Sequence, residues 1–442
     1  MKRVIPGVIA ALALCAAVAA QQTATAPPPA PATTPPPVTT APGKYVGVAS
    51  CVSSGCHGST QPLAATAALQ NEYYTWLNSD RHAQAYNVLF SERSARIAKN
   101  MRLRKKAYEE NVCLDCHTTN VTASMVEGNV DSEDGVQCEA CHGPASGWRS
   151  EHVSQGWTHE QSVARGMTDL RKVPARAQLC VGCHTGSDKK EVDHELIASG
   201  HPILQFELDN YTESMPPHWT PNRESHGLQA WAVGQVVKFR QSLDNVARHA
   251  RGDEWPEFAD MSCFNCHHSL QGSTWRQERG YPDRAGLPSW SPQHWATLRV
   301  LINRAAPGAR ADLDPIVQQL GVQVSRMNNP ASVADLATRA SKIIAGITPR
   351  VDSGRWNESD IRSLMATLAD DRDFILRSDV QAAEQTAFAL QSLSSALTRR
   401  NRALLRSPMT RSIDALFDEL QNRDAYEPSR FVQKMQAVKA TL

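Results

Sequence analysis

The chain has 442 residues, enough for two domains with cores of their own. With 46 Lys and Arg against 45 Asp and Glu it is nearly neutral, which argues against nucleic acid as its main partner. Ten of its 11 cysteines stand in pairs, each pair followed by a histidine, so no set remains for a disulfide framework.

Residues 1–20 carry Lys2 and Arg3, an apolar run from Val8 to Ala20, and small residues before Gln21. This reads as a secretory signal peptide, and the run is short for a membrane span. Leu12-Ala13-Leu14-Cys15 resembles a lipobox, but Leu14 stands where a small residue is needed, so a lipid anchor is not expected. Residues 21–43 are almost entirely Ala, Pro and Thr from Thr23 onwards and predict an extended tether without a core.

Residues 44–289 hold the paired cysteines. The central stretch contains Cys113-x-x-Cys116-His117 and Cys138-x-x-Cys141-His142; two more copies are Cys180-x-x-Cys183-His184 and Cys263-x-x-Cys266-His267. C-x-x-C-H is the attachment signature of c-type haem. On one helical turn, positions i and i+3 share a face and i+4 lies beside them. Both thiols then reach the vinyl groups of one porphyrin while the imidazole points at its iron. Zinc or redox C-x-x-C pairs are the alternative, weakened by the His that follows each pair.

Cys51, Cys56 and His57 form a variant with four residues between the cysteines. Positions i and i+5 diverge by about 140° on a helix, so Val52 to Gly55 must bulge, which Gly55 permits. A Cys51–Cys56 disulfide is the competing reading. Taken together the pattern predicts five haem c groups, four by C-x-x-C-H and one by C-x4-C-H. Each brings two propionates, about two negative charges, so the mature protein becomes acidic. A basic patch on a redox partner complements it. Covalent haem c is completed outside the cytoplasm, so the chain is expected to be exported, to the periplasm or cell surface.

Further along, residues 79–101 predict a helix capped by Ser79 or Asp80, with His82 in its first turn. Residues 227–250 predict an amphipathic helix. After residue 289 no Cys occurs, and no His beyond His294. Val380, Ala383, Ala387, Leu390 and Leu397 follow helical spacing, and Pro330 and Pro428 fit helix starts. Residues 290–442 therefore read as a haem-free helical C-terminal region. The fold class expected is mainly α, with little β structure in the haem domain.

The segments GVQCEACHGPAS, HELIASGHP and CFNCHHSL resemble the multihaem c-type cytochromes, within them the cytochrome c-554 and hydroxylamine-oxidoreductase-like group. The resemblance covers roughly residues 45–290. It implies haems in closely packed pairs, mostly with two His ligands, and electrons hopping along the row. His82, in SDRHAQAY, and His152, ten residues after the third motif, resemble the family's distal ligands; His194 and His201 match HELIASGHP.

The motif histidines, His57, His117, His142, His184 and His267, are the proximal candidates, leaving ten others for five irons. Two neutral imidazoles give a closed, low-spin iron suited to electron transfer. The distal candidates are His82, His152, His194 and His201, with His218 and His268 competing for the fifth place. His159, His226, His249 and His294 have weaker claims. Only 24 residues separate His117 from His142, which favours close packing of their haems.

The expected function is electron transfer without bond-making chemistry. The rival is a haem oxidoreductase acting on a small nitrogen or sulfur compound at one open iron. No C-x-x-C-K motif occurs, but Tyr211 and His218 leave room for a distal pocket near the fourth motif. A third reading is an electron-transfer subunit of a surface complex. Partners expected are redox proteins or a membrane electron-transfer complex, with no nucleic acid, no transmembrane helix in the mature chain, and oligomerisation left open.

Overall fold

The computed structural model describes residues 43–63, 68–219, 227–253, 255–263, 266–267 and 287–442. The segment expected to be a signal peptide, nearly all of the expected tether, Cys15, His226 and His268 lie outside the described residues.

Within residues 43–219 helices are short because the sequence keeps breaking them. They are α1 (Glu72–Ser79), α2 (Glu92–Asn100), α3 (Asn111–His117), α4 (Cys138–His142), α5 (His159–Ala164), α6 (Val173–His184), α7 (His194–Ala198) and α8 (Leu208–Ser214). Three end on a motif histidine. The turn carrying two cysteines and His is thus the last of α3, α4 and α6.

The single helix expected over residues 79–101 is instead three pieces. Asp80 ends α1 and caps a 3-10 turn at Arg81–Gln84, accepting from the His82 amide. A second 3-10 turn, Asn87–Phe90, follows. Ser91 then restarts the chain as α2 by accepting from the Ser94 amide. Two side-chain caps within eleven residues outweigh helical periodicity. They also aim His82 separately from α2.

The rest is long helices: α9 (Gly227–His249), α10 (Gln293–Ala305), α11 (Pro307–Arg326), α12 (Pro330–Asp352), α13 (Glu358–Ala369), α14 (Arg372–Arg377), α15 (Val380–Arg400), α16 (Pro408–Leu420) and α17 (Pro428–Lys439). Pro330 and Pro428 stand at helix starts, where a missing N–H costs nothing. The five apolar residues of α15 that follow helical spacing are all buried. Helix α9 is less amphipathic than its sequence suggests: Ala230 to Phe239 are buried on every side. It is the central helix, against α6, α8, α10, α12 and α15. The molecule is mainly α; among the described residues only isolated bridges occur, such as Tyr45 with Val126. No described helix is long and apolar enough to cross a membrane.

One large apolar core runs through α9 and the C-terminal helices and takes in Val173, Ala177 and Val181 of α6. The fourth motif is thereby fixed to the C-terminal helices by its own helix, whose core residues adjoin Cys180, itself packed against that core. The first three motifs have only small clusters of three buried residues each, such as Val48, Trp76 and Ala83. Side chains alone give that region little core; large apolar groups bound there would supply what is missing.

Candidate haem sites

At each motif the local chain brings the two sulfurs and the imidazole to one turn. In the fifth, the His267 amide donates to the Cys263 carbonyl (2.8 Å), an i to i−4 helical bond. In the first, the His57 amide donates to the Cys51 carbonyl (3.1 Å), closing the four inserted residues into a loop. Glycine is required there at Gly58, not Gly55. A Cβ on Gly58 would lie 1.9 Å from the Val52 carbonyl oxygen, whereas one on Gly55 meets open space. None of the ten described cysteines is in a disulfide.

The motif histidines are not alone. His152 faces His57 with ring centroids 6.2 Å apart, His82 faces His184 at 6.2 Å, His218 faces His142 at 6.4 Å, and His194 faces His267 at 6.3 Å. An imidazole nitrogen binds a metal at about 2.0 Å, and the ring centre lies about 1.1 Å further back. Two imidazoles opposed across one metal ion thus put their centroids about 6.3 Å apart. The four spacings fit a haem iron between each pair. Near His117, the histidine whose charge is coupled to it is His201.

None of the five distal candidates faces the motif nearest to it in sequence. Gly143, at φ +80°, turns the chain sharply after His142, and His152 then reaches the first motif, not the third. His218 stands at the third motif while Tyr211 stands 5.2 Å from His184 of the fourth, so the two do not share one pocket.

Hydrogen bonds to Nδ1 set the ring orientations. His57 Nδ1 donates to Glu72 (3.0 Å), His82 Nδ1 to Asp80 (2.9 Å) and His117 Nδ1 to the Ala85 carbonyl (2.8 Å). His152, His201 and His218 donate to the carbonyls of Arg149, Pro202 and Pro216. An imidazole fixed by its Nδ1–H keeps the Nε2 lone pair for a metal. Burial also favours the neutral form: it pushes His142 and His184 down to about 4. No local pattern marks Glu72 as a partner of His57; Asp80, two residues before His82, reads from the sequence only as a cap.

The weaker candidates have other roles. His159 commits Nε2 to Asp169 (2.9 Å). His249 is held at both nitrogens, by Asp260 and Glu191. Burial lowers its basicity, but the two carboxylates outweigh that and push it up to about 10, so it is an imidazolium. His294 is buried in the helical core with Nδ1 unpartnered.

The thiols show which motifs adjoin. Cys116 and Cys183 share a hydrogen bond, so the second motif meets the fourth rather than the third, despite the short sequence between His117 and His142. Cys138 lies within the electrostatic reach of Cys51, and Cys141 within that of Cys180. Glu139, between the third motif's cysteines, is buried and accepts from the amides of Val46, Gly47 and Ala145. It ties the segment leading to Cys51 against the third motif. Burial raises the Cys138 and Cys141 thiols to about 12, the reverse of a reactive redox dithiol. Among the described residues no three His, Cys, Asp or Glu side chains gather as a zinc site requires.

Residues 51–143 match the family model for cytochrome c554 and c-prime. The matched segment spans the first three motifs and His82. It supports a c-type cytochrome, with covalently bound haem iron and a role in electron transfer. No curated protein and no solved structure matches the chain.

Proposed function

We propose that the chain is an exported pentahaem cytochrome that passes electrons among five haem c groups, each iron held by two histidines. The observation that carries this reading is the recurrence of one spacing, 6.2–6.4 Å, at four motif histidines. In this reading the ligand pairs are His57 with His152, His117 with His201, His142 with His218, His184 with His82 and His267 with His194. Cys51 and Cys56, Cys113 and Cys116, Cys138 and Cys141, Cys180 and Cys183, and Cys263 and Cys266 form the thioethers.

Haem supplies a one-electron iron couple; the polypeptide sets where it lies and how strongly it holds its charge. An iron held by two of these imidazoles would have no open position for a substrate. Nδ1–H bonds to Glu72 and Asp80 make His57 and His82 stronger donors, which favours ferric iron at the first and fourth sites. The electrostatic influence of motif cysteines on one another supports an order of first beside third, third beside fourth and fourth beside second. Residues 194–201 carry one candidate ligand for the fifth site and one for the second, which joins those two.

A pyridine haemochrome assay on the exported protein tests the haem number. Five haems per chain are expected. Four would assign Cys51 and Cys56 to another role.

A further inference from the structure

Between Arg93 and Lys106 the chain has seven cations and no carboxylate, whereas elsewhere Asp and Glu outnumber Lys and Arg. All seven cations are exposed, and among the described residues none has an ion-pair partner. A solvated helix face usually mixes both signs; here Glu92, at the first turn of α2, is the one carboxylate against the cations of that helix.

Its place is specific. Arg93 donates from Nε (3.0 Å) and Nη2 (2.7 Å) to the Gly200 carbonyl, and Asn100 donates to that of Ser199 (3.1 Å). Helix α2 is thus fastened to the turn that presents His201. The basic loop beyond it leads into α3, and both pack in one small cluster with Cys113. Beside the cations, Val88, Phe90 and Val112 are exposed, and Phe90 stacks on Tyr108 at 4.3 Å. Val112 directly precedes Cys113. The second attachment site thus has an exposed apolar spot flanked by the seven cations on one side in sequence and by Glu109 and Glu110 on the other.

We infer that this face is the docking surface of an acidic electron-transfer protein, which it brings to the second attachment site; the inference rests on the haem reading above. A patch of one charge sets encounter rate and orientation, and a small apolar spot beside it lets the partner dock closely and leave again.

The test uses the haem-loaded chain and a flavodoxin, an acidic flavin protein. Its dissociation constant is measured for the unaltered chain, for Lys99→Glu/Arg104→Glu/Lys105→Glu, and for the control Arg326→Glu/Lys342→Glu/Arg350→Glu on α11 and α12. The first triple variant is expected to weaken binding about tenfold or more at low salt, the control far less. Carbodiimide coupling is expected to join flavodoxin carboxylates to Lys99, Lys105 or Lys106. Equal loss in both variants, or coupling mapped elsewhere, overturns the inference. So does loss of binding to phosphatidylglycerol vesicles in the first variant with unchanged flavodoxin affinity, which would assign the face to a membrane. Absence of haem absorption overturns the haem reading itself; intact haem with charge-insensitive docking overturns the docking face alone.

Discussion

His152 was one of several spare histidines, and its role depends on a contact across 95 residues with His57. Removing its ring opens the first site on one side. His152→Ala is expected to convert one haem of five from low-spin to high-spin ferric iron, read by EPR, with haem content unchanged. A spectrum like that of the unaltered protein would remove His152 from the ligand set. Glu139 is a different kind of residue: it binds no haem but satisfies three buried amides. Glu139→Ala leaves them without partners, and a loss of about 3 kcal/mol is expected in denaturant unfolding. The motifs could be listed from the sequence because each is local, five residues long in four cases and seven in the first. The histidines that face them could be listed as a group but not as pairs, since pairing is a property of tertiary structure. His218 stands at the third motif because residues 201–219 return there, and no short pattern encodes that return.

At the scale of elements, periodicity read the C-terminal helices well, since each buries an apolar stripe in a shared core. It failed over residues 79–101, where Asp80 and Ser91 take backbone amides that a continuous helix would leave to carbonyls. The end of α9 makes a pH-dependent contact. His249, ordinarily near 6.5, is held at about 10, so its stabilisation is full below pH 6.5 and lost as pH rises through 10. Glu191, ordinarily near 4.5, is driven down to about 2: burial opposes this, but His249 and Arg248 prevail. Its contribution is full above pH 4.5 and lost as pH falls through 2. Between these limits, about pH 4.5 to 6.5, both are complete. His249→Gln is expected to cost about 3 kcal/mol there, and less towards pH 10, in unfolding curves measured across pH. A flat difference across that range would mean the carboxylates do not hold the imidazolium.

Over the whole molecule, two kinds of core share the work. The C-terminal helices and α9 bury one another and anchor the fourth motif through α6. The first three motifs sit among clusters of only three buried apolar residues each. Haem-free protein is therefore expected to keep its C-terminal helices while residues 43–219 lose protection in hydrogen exchange. The central claim is that every iron carries two imidazoles. Low-temperature EPR of the oxidised protein tests it most directly. Facing rings lie at 6° in one pair and at 72° and 87° in two others, so at least two classes of low-spin ferric signal are predicted. A high-spin ferric signal amounting to a full haem, shifting when nitrite or hydroxylamine is added, would contradict the account.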